Sequence, residues 1–151
     1  MEKQFDIIQQ TRSNFYELVK GLSLEQVNKV PAGYNNNIAW NFGHVIVTQQ
    51  LIAYKVSGYE AKIGMELIDK YRKGTKPEGD IDAAEWEQLL GLAHNTLDSL
   101  KADYNNGFFT NFTPYTTSYG IQLDSIEDVL QFLPVHEGLH YGYAMAQKKL
   151  V

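Results

Sequence analysis

The sequence predicts an all-α fold, a four-helix bundle, on three observations. Apolar residues recur at helical spacing in four long segments. Three of those segments open on a capping side chain, Asn37, Asp82 or Ser125, and nothing between them makes a convincing sheet. A length of 151 residues suits one ordinary domain spanning the chain and leaves no room for a second core.

The first helix follows from Phe5, Ile8, Arg12, Phe15, Leu18, Val19 and Leu22, with Lys, Glu, Gln and Asn between them, and should end near Gly21. Ser23 and Gln26 have the spacing of a capping box, which predicts a short turn of helix before the break at Pro31-Ala32-Gly33. Asn37 caps a second long helix over Ile38 to Ser57, apolar on more than one side and followed by Gly58, so it should be the most buried element. Tyr59 to Ile81, with Gly64, Gly74, Pro77, Gly79 and dense charge, reads as a connection outside the core, with one short helix over Glu66 to Arg72. Asp82 and Glu85 open the third long helix, and Trp86, Leu89, Leu90, Ala93, Leu97 and Leu100 carry it to the stop at Asn105-Asn106-Gly107. Phe108 to Asp124 has no helical period, many aromatics and hydroxyls, and Pro114; it is a long surface connection placed to wall a pocket. Ser125 and Asp128 cap the fourth helix. Pro134 inside it removes one backbone hydrogen bond and crowds the carbonyl of Leu130, which predicts a kink half a turn before His136.

Composition excludes several classes of function. Hydrophobic residues at 44% and charged residues at 21%, with only four prolines, are the balance of a soluble globular protein. No stretch approaches the ~20 apolar residues that cross a bilayer, and MEKQFDIIQQ has no apolar signal core, so the expected location is cytoplasmic with no membrane partner. Cysteine is absent, which removes disulfides, thiolate nucleophiles and sulfur ligands together. A net charge of −5 with 13 Lys+Arg and no basic run argues against nucleic acid.

The chemistry concentrates in His136-Glu137-Gly138-Leu139-His140. Histidines at i and i+4 project from one face of a helix with their rings close enough to share an ion. The same five residues match HExxH, in which the glutamate of a zinc protease serves as general base. Such enzymes usually take a third ligand downstream, but YGYAMAQKKLV offers no His, Asp or Glu, and the chain has no edge strand to hold a peptide. The third ligand must come from upstream. His44 is the natural one, on a stripe with Trp40, Val47 and Leu51 that faces the bundle interior. Three neutral imidazoles make a half-open site, the arrangement of catalytic rather than structural metal centres.

Asn37-Ile38-Ala39-Trp40-Asn41-Phe42-Gly43-His44, entering a long apolar helix, together with His136-x-x-x-His140 in the last helix, resembles the DinB superfamily over nearly the whole chain. The resemblance implies a four-helix bundle with up-down-down-up topology and long connections. It implies a metal site with one histidine from the second helix and two from the fourth, here His44, His136 and His140. It also implies zinc or nickel as the ion and a small molecule as the substrate. Members of known activity include thiol S-transferases that use bacillithiol or mycothiol, a maleylpyruvate isomerase, and proteins described as metal-dependent hydrolases. A low-molecular-weight thiol is therefore a candidate cofactor.

The neighbours of the histidines carry further expectations. Glu137 is rotated about 100° from His136, toward solvent or a neighbouring helix rather than an ion. Asn41 and Thr48 flank His44, while Tyr143 and Gln147 continue roughly the His136/His140 face; these four, with Glu137, are candidates to orient the histidines or touch substrate. Tyr143 could equally fill the core, and the histidines could instead bond to one another and to water. His94 has no partner at ligand spacing and reads as a boundary residue. The expected function is a metal-dependent thiol S-transferase or hydrolase. Its rival is a non-catalytic metal-binding or stress-associated interaction protein that uses the bundle surface to dimerise. A homodimer stays open on either reading, since such bundles often pair through helix faces.

Overall fold

The computed structural model describes residues 1–151. Four long helices form the body: α1 (Glu2–Val19), α3 (Ile38–Ala53), α5 (Ala83–Asn105) and α6 (Ile126–Gln147). Two short ones, α2 (Leu24–Asn28) and α4 (Met65–Tyr71), lie in the connections. The fold is all-α; its one sheet is a two-residue antiparallel pairing of β1 (Tyr115–Thr116) with β2 (Gln122–Leu123). Helices α5 and α6 each pack on both α1 and α3, so the bundle has four side contacts and two diagonals.

The predicted caps are formed. Ser23 and Gln26 make a reciprocal capping box, while Asn37, Asp82 and Ser125 accept from the backbone amides of Trp40, Glu85 and Asp128. Each satisfies one of the amides that a helix start leaves without a partner. The second long helix is shorter than predicted. It stops at Ala53, passes through a 3-10 turn at Lys55–Ser57, and ends at Gly58, whose φ of 81° is open to glycine without steric cost. Helix α6 runs without interruption through Pro134.

Between Tyr59 and Ile81 the expectation of a connection outside the core is wrong. Leu67, Ile68, Tyr71 and Ile81 are buried and join the core cluster around Phe15, Phe42 and Trp86. Charge density and glycines hid an amphipathic turn: positions 67, 68 and 71 follow the i, i+1, i+4 spacing of one helical face. The packing is close. A Cβ at Gly43 would meet the Tyr71 ring at 2.5 Å, so α4 can lie on α3 only where a side chain is missing.

The core is divided in two. One apolar cluster surrounds Phe15, Phe42 and Trp86; the other surrounds Phe5, Ile8, Ile52, Leu97 and Leu130. On every long helix a buried polar residue separates them: Arg12 on α1, Gln49 on α3, Thr96 on α5, and His136 with Glu137 on α6. The bundle therefore carries a polar layer across its middle; His136 lies in it, and the rings of His44 and His140 adjoin it.

Candidate metal centre

His44 stands in the second turn of α3, and His136 and His140 lie one turn apart on α6. Because α3 and α6 pack together, the three rings converge. Their centroids are 5.1 Å apart for His44 and His136, 4.5 Å for His44 and His140, and 4.6 Å for His136 and His140. One nitrogen from each ring lies within 4.8 Å of the others, a spacing at which three imidazoles can hold one ion. His44 and His136 are buried and His140 is partly so.

Two of the rings are oriented by their second nitrogen. His44 Nδ1 donates to the carbonyl of Tyr71 at 2.6 Å, which leaves its Nε2 as the unprotonated atom. Trp40 stacks on that ring at 4.5 Å with the planes 11° apart, and its own Nε1–H is held by Thr75 Oγ1 at 3.0 Å. His140 Nδ1 donates to Asn41 Oδ1 at 2.8 Å. Asn41 is held in turn: its amide donates to Asn37 O, Asn36 Oδ1 and Gln147 Oε1, and Gln147 donates to Asn36. His136 differs. Its Nδ1 is buried with no hydrogen-bond partner, a cost of about 1–3 kcal/mol for an unsatisfied polar atom unless something else uses the lone pair.

Burial holds all three rings neutral. His140 is pushed down to about 3, first by desolvation and then by repulsion from a charged His44. His136 goes to about 2, again mainly by desolvation, with charge on His140, His44 and Arg12 adding to it. His44 is lowered by burial against a smaller opposing effect of the Tyr71 carbonyl. Neutral imidazole is the form that binds a metal. A further consequence concerns stability. An unfolded histidine titrates near ~6.5, so as pH falls from there toward about 3 the unfolded chain takes up protons that the folded chain refuses. Stability is full above that window and falls within it, by at most about 2 kcal/mol per histidine between pH ~6.5 and ~5. Thermal melting of metal-free protein should show a midpoint lower by about 4–8 °C per fully depressed histidine at pH ~5 than at ~7.5. An unchanged midpoint would mean that the rings are not held neutral by their surroundings.

Two cavities open on the cluster. The larger, about 980 Å³, is lined by Trp40, Asn41, His44 and His140, with Tyr34, Asn36 and Tyr143 toward its rim. The smaller, about 330 Å³, has His44, Thr48 and His136 on its walls together with Leu51, Ile52 and Phe132. Tyr115, Thr117 and Ser118 close it, so the segment after Phe108 does wall a pocket.

The other expected residues divide. Asn41 orients His140 directly, and Gln147 acts one step behind it through Asn41. Thr48 Oγ1 is 3.3 Å from His44 Nε2, beside the histidines and on the wall of the smaller cavity. Tyr143 is 47% exposed and meets Tyr34 edge-on at 6.2 Å, so it belongs to the rim of the larger cavity and not to the core. Glu137 is not at the centre and not in solvent. It is fully buried and paired with Arg12, whose Nε lies 2.9 Å from Glu137 Oε2 while Nη2 reaches Oε1 at 2.5 Å. His94 meets Ser13 Oγ at 3.2 Å, away from the cluster.

Three contributors escaped sequence reasoning. Trp40 was legible as part of a stripe but not as a stacking partner, and the Tyr71 carbonyl belongs to a short helix expected to lie outside the core. Arg12 stood among apolar residues on the inner face of α1, and a cation on such a face was the available signal that a buried carboxylate opposed it. Compared with known families, residues 7–144 match the model described as the DinB superfamily. No curated protein matches the chain.

Proposed function

The chain belongs to the DinB superfamily, and from that premise we propose that it is a metal-dependent enzyme that holds one divalent ion, zinc or nickel, on His44, His136 and His140 and acts on a small molecule. The observation that carries this reading is the buried, unpartnered Nδ1 of His136 within a cluster of neutral imidazoles. Hydrogen bonds among the rings would have satisfied that atom; an ion drawing on the cluster explains why the site tolerates so much desolvated nitrogen. The chemistry such a site supplies when loaded is Lewis acidity, which brings a water or a thiol within reach of ionisation at neutral pH.

Of the two reactions, thiol S-transfer is the better supported. Hydrolysis wants a positioned general base, and neither cavity is lined by Asp or Glu. Glu137, the glutamate of the HExxH pattern, is committed to Arg12 in the core. A cavity of about 980 Å³ is at the upper end of small-molecule sites and has room for a low-molecular-weight thiol as well as its acceptor. That volume also speaks against a purely non-catalytic, interaction role. Within the site, Tyr71 and Asn41 orient two rings, Trp40 keeps water from one face of His44, and the apolar wall of the smaller cavity lowers the local dielectric.

Protein purified without an affinity tag and analysed for metals should contain close to one zinc or nickel ion per chain, and the loaded protein should consume thiol in the presence of an electrophilic acceptor. Protein that stays metal-free after incubation with zinc, nickel and manganese would sink the metalloenzyme reading. Metal without thiol turnover would return the choice to hydrolysis or binding.

A further inference from the structure

The histidine cluster separates the two cavities, and only two residues line both of them: His44 and Lys73. Lys73 is the one charged side chain, histidines aside, on either wall, although the chain carries 18 Asp+Glu. It has no carboxylate partner. The nearby ion pairs join Lys70 to Glu85 and Arg72 to Asp69 and leave Lys73 out. Gly74, at φ 90°, turns the chain at this point, so the lysine ends the segment that also supplies the Tyr71 carbonyl to His44. What marks this lysine is its place: its charge stands at the junction of two cavities without acidic groups, which makes it a counter-charge for an anion.

We propose that the small molecule handled at the histidines carries a carboxylate, which pairs with the Lys73 ammonium while its reacting sulfur or oxygen lies at the cluster. The inference rests on the metal-enzyme reading above and adds the substrate class to it. Leu51, Ile52, Val56 and Phe132 along the smaller cavity suit an apolar arm of the same molecule, and the asparagines of the larger cavity suit a polar one. Lys73 is exposed in the free protein, so its pairing has the strength of a screened ion pair, about two- to fivefold in affinity.

The test uses the full chain loaded with cobalt(II), whose absorption reports sulfur binding, titrated with mercaptopropionate and with its neutral analogue mercaptopropanol. Wild type should prefer the carboxylate. Lys73→Met should lose about two- to fivefold in mercaptopropionate affinity with mercaptopropanol unchanged, and Lys73→Arg should restore most of the difference. A preference that survives intact in Lys73→Met would assign it to the ion alone and overturn the role of Lys73. Cobalt uptake with no preference in wild type would overturn this inference and leave the metal reading standing. Failure to take up cobalt would remove both.

Discussion

Replacing His140 by alanine should abolish metal retention while leaving the bundle folded. His140 is the most accessible of the three histidines, and its removal leaves two imidazoles, one of them with no other anchor for its Nδ1. Loss of a group that merely orients a ligand costs about 10–100-fold in metal affinity, so loss of the ligand itself should exceed that range. The folded state has little to lose, because the ring is a desolvated base with a single hydrogen bond to Asn41. Elemental analysis and circular dichroism on the same sample would check both halves. Asn41→Ala is the companion variant, expected to keep the stoichiometry near one and to weaken affinity by about 10–100-fold. If His140→Ala retains metal as wild type does, the ion does not sit on this cluster.

Arg12→Leu or Glu137→Leu should each destabilise the fold by about 3–5 kcal/mol, the cost of leaving a buried charge without its partner. The pair ties α1 to α6 with both side chains 0% exposed, and Arg12 Nη1 also donates to Ala93 O on α5 at 3.0 Å. Three of the four long helices therefore meet at one guanidinium. In a domain of this size the melting midpoint should fall by roughly 6–20 °C. The double variant Arg12→Leu with Glu137→Leu should be far less destabilised than the sum of the two, since an apolar pair removes both desolvation costs at once. Urea unfolding of the four proteins completes that cycle. Additive losses would mean that the two residues act independently. Glu137→Gln separates this account from the protease pattern: it should lower stability, and any loss of activity should follow the folded fraction and not the chemistry.

The legible part of this molecule is the part set by near neighbours. Asn37, Asp82 and Ser125 announced their helices because a cap bonds to an amide three residues on. The i, i+4 histidines were visible because one turn of helix places them on one face. The error at Tyr59 to Ile81 has the same origin. Its apolar spacing covers only one short turn, too little for periodicity to outweigh glycine and charge, although Leu67, Ile68 and Tyr71 are core residues.

Helix type, capping and the His136/His140 pair were determined by the sequence itself, because they depend on contacts within about one turn, while His44 was legible only from its inward stripe and from the resemblance. Which atoms hold those ligands was decided only by the tertiary structure. Tyr71 lies 27 residues from His44, Asn41 lies 99 from His140, and Arg12 lies 125 from Glu137. No period or local spacing links such pairs. They meet because α4 settles against Gly43, because α3 packs on α6, and because burial allows no charge or polar atom between the two halves of the core to go unanswered without cost.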